Sequence, residues 1–449
     1  MTLAQLLTVA VFVLMFAAII WGRVHRYIPA LVGGGLAIVV LLAVEQQPDL
    51  VVKVLNVGQL VQGRFWLPGH EPFSSHGINW QTIIFIAGMM VMVEGLARVG
   101  FFRWICLLVA RLSGYRIVPV LLTFMLLSAV LSMFIDSITV MLFLASVTIE
   151  LARLLEFDPV PVIIAEIFAA NTGGAATMAG DPPNIIIGTS LGYSFTDFLV
   201  NTGLIAWAGM AVALVFFYFA SRRALGARHG ASHDTSRYPT ARSAITNVPA
   251  FLAHAGVFLL AIVLLATHAQ TGISVALVGV IAAGLTAAVA VRHLRETIVR
   301  LDWRTLLFFV GLFVVVGGLE ETGVLARLAE LIGRISGGSL PIIVTMVLWL
   351  SAFASAIVDN IPFAATMVPV ILDLSQTLHV DLHPMAWSLA LGTDIGGNGT
   401  PIGASANVVG TAIAEREGYK VGWGRYLKLG LPPMLLVVGL CNLLLLVRY

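Results

Sequence analysis

Thiols are nearly missing from this chain: its 449 residues hold two cysteines, Cys106 and Cys441, far apart within apolar stretches. That spacing offers neither a disulfide framework nor a CxxC-type metal site, and both read as packing residues. Charge is scarce too, at 11% of residues and a formal net charge of +2. The basic residues are spread through loops and gather into no patch interleaved with aromatics, which leaves nucleic-acid binding without support. No GxxxxGK[ST] string occurs. There is therefore no nucleotide-binding P-loop, and ATP coupling would need a separate ATPase subunit. No cofactor, metal centre or enzymatic chemistry is implied.

What is present is apolar. Hydrophobic residues make up 59% of the chain, in runs of roughly 15 to 25, about the length that crosses a bilayer. The N-terminal run Met1 to Trp21 lacks a basic start and a small-residue cleavage site, so it reads as a first membrane helix rather than a signal peptide.

The chain is a duplication. Trp80 in NWQTIIFIAGMM finds its counterpart at Trp303 in DWRTLLFFVGLF, a displacement of 223 positions that holds without a gap. It pairs Gly88 with Gly311, Gly100 with Gly323, Asp136 with Asp359, Gly173 and Gly174 with Gly396 and Gly397, Thr177 with Thr400, and Asn184 with Asn407. Shared apolar composition matches Leu with Val, but does not keep Trp, Gly, Asp and Asn in one register.

Lys and Arg in the loops give the halves opposite orientations. Arg23 and Arg26 make the first loop basic, while the loop over 46–78 is nearly balanced, with Asp49, Lys53, Arg64 and Glu71. In the second half the loop near His268 to Thr271 has no Lys or Arg, and the next holds Arg292, Arg295, Arg300 and Arg304. Likewise, the loop at Tyr193 to Asp197 lacks basic residues, whereas 415–428 carries Arg416, Lys420, Arg425 and Lys428. The expected architecture is all-α and polytopic: two inverted-topology repeats, about ten transmembrane helices plus two re-entrant hairpins, helices broken at mid-membrane, and both termini outside. Residues 1–220 form the first repeat, with scaffold helices in 1–45 and a transport part over 80–220. A basic cytoplasmic linker follows at 221–247, with Arg222, Arg223, Arg228, Arg237 and Arg242 against Asp234. The second repeat is 248–449, with scaffold helices over 248–292 and a transport part over 303–449. The hairpins are 82–97 with 99–112 and 305–319 with 323–336, each pair joined at a Gly; two full crossings, tilted or thinning the bilayer, are the alternative and preserve the parity of the topology.

Two constellations carry chemistry. The first is SMFIDSITVM with SAIVDNIPFAATM, where Asp136 and Asp359 interrupt apolar helices. A mid-membrane acid is costly and marks ion or proton pathways; each also suits the N-cap of its broken helix. The second is AANTGGAATMAGDPPNIIIG, 169–188, with GTDIGGNGTPIGASANVVG, 392–410. Embedded Gly and Pro free backbone groups that only protein or a water-filled cavity can satisfy. Asn171, Thr177, Asn184, Asn398, Thr400, Ser405 and Asn407, with Gly173, Gly174, Gly396 and Gly397, are the candidate substrate site. Asp136, Asp359, Asp181, Asp394 and, one or two turns before the first break, Glu166 are the candidate proton carriers. Glu94, Glu320 and Glu321 read as interfacial, and His268, His379 and His383 as solvated loop residues.

At these motifs the chain resembles the ion-transporter superfamily that includes ArsB-type arsenite permeases, NhaD-type sodium/proton antiporters, citrate permeases and sodium-coupled dicarboxylate carriers. GGAATMAGDPPNIIIG and GGNGTPIGASANVVG look most like the branch of arsenite permease-like proteins and the melanosomal pink-eyed-dilution protein. The resemblance implies a secondary transporter of the inner membrane, commonly a homodimer through its scaffold, with elevator-like movement. Dicarboxylate carriers place Ser-Asn-Thr at each break; here the positions read Asp136-Ser137-Ile138 and Asp359-Asn360-Ile361. An acid replacing Ser repels a dicarboxylate and takes up a proton. The expected function is proton-coupled efflux of arsenite and antimonite, with neutral As(OH)3 held by Asn, Thr and backbone groups. Sodium/proton antiport and an anion transporter or channel are the alternatives.

Overall fold

The computed structural model describes residues 1–69, 77–226, 239–291 and 294–449. Glu71, Arg228, Asp234, Arg237 and Arg292, and the side chain of Arg223, lie outside the described residues. The first half opens with α1 (Leu3–Trp21) and α2 (Tyr27–Ala43), then a short excursion through α3 (Pro48–Leu55) and α4 (Gly63–Trp66). There follow α5 (Trp80–Arg98), α6 (Phe101–Leu112), α7 (Ile117–Ser132), α8 (Ser137–Leu155), α9 (Val160–Gly174), α10 (Pro182–Leu191), α11 (Phe195–Phe198) and α12 (Leu204–Gly226). The second half repeats the order as α13 (Val248–Thr271), α14 (Val275–Val289), α15 (Leu294–Arg300), α16 (Trp303–Glu321), α17 (Val324–Ser336), α18 (Leu340–Ile357), α19 (Asn360–Leu378), α20 (Leu382–Gly396), α21 (Ser405–Arg416) and α22 (Trp423–Arg448). The same displacement carries both ends of α5 onto α16 and of α8 onto α19.

Nine helices among the described residues are long and apolar enough to cross a membrane, and four shorter apolar helices accompany them. The helices α5 and α16, expected as hairpin arms too short to span, have 19 residues each and belong to the nine. They start earlier because Asn79 and Asp302 cap them, accepting from the backbone N–H of Thr82 at 3.0 Å and of Thr305 at 3.2 Å. Both stop at a glycine in the left-handed region, Gly100 at φ +84 and Gly323 at φ +75, a conformation that a Cβ disfavours.

The halves are interlaced rather than side by side. Helix α5 of the first packs along α14 of the second, and α16 of the second along α2 of the first. Glycine makes this approach feasible: a Cβ on Gly88 would lie 2.2 Å from the Gly279 carbonyl oxygen, and one on Gly311 2.4 Å from the Ala30 carbonyl carbon. Small residues at such seams let helix backbones touch where lipid gives no hydrophobic drive.

Charged pairs, most of them at helix ends, also join the halves. Glu94 accepts from Arg300 at 3.2 Å, Lys53 pairs with Glu321 at 2.6 Å, and Arg425 and Arg153 pair with Asp158 and Glu417. His268, expected in a loop, stands in the last turn of α13, half-buried, with Nδ1 2.8 Å from the Leu265 carbonyl. Its helix runs past the apolar stretch because Gly272 supplies the left-handed residue that ends it. Cys106 and Cys441 are both fully buried.

Candidate substrate site at the two helix breaks

Each half interrupts its helices twice, once between α7 and α8 or α18 and α19, and once between α9 and α10 or α20 and α21. At the first kind of break an aspartate caps the following helix. Asp136 accepts from the Thr139 N–H at 3.0 Å and its hydroxyl at 2.7 Å, and Asp359 accepts from the Ile361 N–H at 3.2 Å. The two acids thus fill the capping role that the motif allows.

At the second kind of break the chain stays ordered because its freed carbonyls are bonded internally. The Asn184 amide donates to the carbonyls of Gly174 and Thr177, both at 3.0 Å, and Asn407 does the same to Gly397 at 2.7 Å and Thr400 at 2.8 Å. Thr177 donates to the Met133 carbonyl at 2.5 Å, and Thr400 to that of Ala356. Every one of these bonds in one half has its image 223 residues later. Thr177→Val should therefore cost about 1 kcal/mol for one lost neutral hydrogen bond, and the partly exposed Thr400→Val no more than that. Paired melting curves of the two variants in detergent check this, and a clearly larger loss for Thr400→Val would overturn it.

The two breaks meet. Helix α10 packs on α19, and α21 on α8. Asp181, positioned before α10, makes no cap to its own helix; its carboxylate accepts from Ser137 at 2.8 Å and from Asn360 at 3.0 Å. Ser137 and Asn360 open α8 and α19, so three helix N-termini converge on one carboxylate, and their dipoles favour its negative charge. Asp136 and Asp359 stand within electrostatic reach of it. Asn171 donates to Asn398 and Asn407, both at 2.9 Å. Across the pseudo-twofold, Asp394 faces Asn184 and Asp181.

Asp181, Asp394, Asn171, Asn184, Asn398, Asn407 and Thr177 are all buried, so this conformation closes the site to solvent. Thr400, Ser405, Asp136 and Asp359 are partly exposed at its edge. The four glycines pack rather than line a cavity. Gly173 lies on the backbone of Ala129 and Gly396 on that of Ala352, while Gly174 and Gly397 offer the carbonyls just described. Glu166 stands apart, fully buried, accepting from Thr148 at 2.5 Å and within electrostatic reach of Cys106.

Arg26 is the residue that sequence reasoning missed. Its guanidinium donates to Asp359 at 2.7 Å, to Ser405 at 3.0 Å and to Thr305 at 3.0 Å, and lies over the Phe308 ring at 5.1 Å. Read only as a loop charge that sets topology, it ties the start of α2 to α16, α19 and α21. The displacement gives no hint of it, since it lies outside the stretch that repeats in register.

A family model described as a citrate transporter matches residues 16–392. The "46 kDa membrane protein" of Mycobacterium leprae is 32% identical, with 99% of each chain covered. The human P protein is 30% identical over 96% of this chain, which spans 58% of that longer protein. The YdaH transporter of Alcanivorax borkumensis shares the fold at a TM-score of 0.60 and 14% identity, covering 99% of this chain and 98% of that one. The MtrF protein of Neisseria gonorrhoeae, from a class described as antimetabolite efflux pumps, aligns at a TM-score of 0.50 and 13% identity, covering 89% and 84%.

Proposed function

This chain belongs to the CitMHS family of the ion-transporter superfamily, and on that premise we propose that it exports arsenite and antimonite in exchange for protons. That it is a multi-pass membrane protein, a secondary transporter and not an enzyme follows from the family and the fold; substrate, coupling ion and direction are the proposal. The observation that carries it is the composition of the meeting point: acids able to exchange a proton, surrounded by neutral amides, hydroxyls and helix N-termini. Neutral As(OH)3 suits such donors and acceptors. Thiol capture does not enter, because the two cysteines are single, fully buried and on different helices, Cys106 on α6 and Cys441 on α22. Alternating access of two inverted repeats is supported by the loop charges and by the duplicated breaks; elevator-like movement and a homodimeric scaffold are what the resemblance to the superfamily implies.

The family description names citrate. Against a free polycarboxylate here stand Asp136, Asp181, Asp359 and Asp394, while the guanidinium of Arg26 is taken by Asp359. Like charges juxtaposed at a binding site cost several kcal/mol.

In proteoliposomes, arsenite should move against its gradient when a pH difference is imposed and stop when a protonophore collapses it. Arsenite flux indifferent to pH would sink the coupling. Sodium-driven proton flux without arsenite would replace the reading with sodium/proton antiport, and gradient-driven citrate uptake would replace the solute.

A further inference from the structure

We propose that Asp394, with Asn184 and Asp181, forms a seat for one monovalent positive charge, and that its mirror position at Asn171 carries none. This deepens the transport reading by placing the coupling charge on one side of a duplicated core.

The displacement that defines the repeat turns Asn171 into Asp394 and Asn184 into Asn407. The contacts follow suit: Asn171 meets Asn407 in one seat, and Asp394 faces Asn184 in the other. The first seat is electrically closed. Asn171 donates to Asn407 and Asn398, and its leftover atoms are one acceptor, Asn171 Oδ1, and one donor, Asn398 Nδ2. The second is open. Both oxygens of the fully buried Asp394 lack a hydrogen-bond partner. Asn184 commits its amide hydrogens to Gly174 and Thr177, which leaves its own Oδ1 without a donor.

The two carboxylate oxygens of Asp394 and the Oδ1 of Asn184 thus crowd one buried place in which none of the three has a hydrogen-bond partner, with the carboxylate of Asp181 beside them. A bare carboxylate at membrane depth is among the costliest groups a helix can hold. A proton on Asp394 removes its charge and supplies a donor; an alkali ion takes the same oxygens as ligands. Polyvalent metals suit the place less, because among the described residues no group of three or more His, Cys, Asp and Glu is arranged to hold one. The nearby charges add no cation of their own. Asp181 faces Asp394, Asp136 and Asp359 stand beyond Asp181, and Arg26 is bound to Asp359.

Full-length protein in detergent, without any solute, is titrated with 22Na+ and in parallel with acid under a pH-indicating dye. Asp394→Asn copies the residue that the mirror seat already accommodates, so it should fold and lose one charge per chain, with affinity down at least about tenfold, or 1.4 kcal/mol. Asn171→Asp should fold and gain one. Sodium uptake lost with Asp394→Asn assigns the seat to an alkali ion, and loss of a single proton equivalent assigns it to a proton. Unchanged uptake of both in Asp394→Asn overturns the proposal, as does a monodisperse Asn171→Asp protein that binds no additional charge. Since no solute is present, a wrong arsenite assignment leaves these readings untouched.

Discussion

Asp181→Asn should lower gradient-driven solute transport by about 100-fold while leaving the protein in the membrane. The carboxylate presents two acceptor oxygens and uses one for each half, Ser137 at 2.8 Å and Asn360 at 3.0 Å. An amide of the same size has a single acceptor, which Asn360 requires, so its NH2 must turn to Ser137, whose hydroxyl then has to accept instead of donate. Hydrogen bonds to charged groups contribute about 1.5–3 kcal/mol against about 0.5–1.5 for neutral ones, and here both contacts lose the charge. At about 1.4 kcal/mol per factor of ten, that reaches the stated loss if the contact between halves forms in the transport cycle. Transport is measured in inverted vesicles normalised to protein content. Asp181→Asn vesicles within twofold of wild type would show that the contact is only structural. The displacement maps Asp181 to Ala404, so Ala404→Asp is the informative companion. It places a second carboxylate where the first has none, and should slow transport through repulsion with Asp359.

The duplication was legible because it is written in residues that composition does not scatter, such as Trp80 with Trp303 and Asn184 with Asn407. The candidate site was legible for the same reason: Gly, Pro, Asn and Asp inside apolar helices have to be paid for by internal hydrogen bonds, and those bonds are what Asn184 and Asn407 make. What the displacement does not say is which residues touch. It pairs Asn184 with Asn407, which is not a statement that the two meet. The contacts run crosswise instead, Asn171 with Asn407 and Asp394 with Asn184, because a twofold carries a contact between two residues onto one between their copies, and only residues on the axis meet their own copy. The packing of α5 on α14 and α16 on α2 was equally hidden. Each of those helices is apolar on every side that faces protein or lipid, so its sequence names no preferred neighbour. Arg26 escaped for a related reason: a loop arginine obeys the same charge rule whether it faces water or a carboxylate of the other half.

Gly396→Ala should nearly abolish accumulation of folded protein, and Gly173→Ala should match it. A Cβ on Gly396 would lie 2.2 Å from the Cα of Ala352 and 2.5 Å from its carbonyl oxygen; on Gly173, 2.2 Å from the carbonyl oxygen of Ala129 and 2.5 Å from its Cα. These are backbone atoms of α18 and α7, so no rotamer change relieves the clash and the helices must separate. Overpacking of about 1–3 kcal/mol is the usual cost when side chains can yield; here they cannot. Separation would also pull the break carbonyls of Gly174 and Gly397 away from Asn184 and Asn407. Fluorescence-detected size-exclusion profiles should show monodisperse protein falling at least about tenfold for either variant, consistent with the upper end of that cost. Gly439→Ala on α22, where a Cβ meets nothing within 4 Å, should elute like wild type. Wild-type yields for Gly396→Ala would mean that α18 and α20 pack more loosely than this. A large loss for one of the pair and not the other would mean that the mirror relation fails at the point where the two breaks are built.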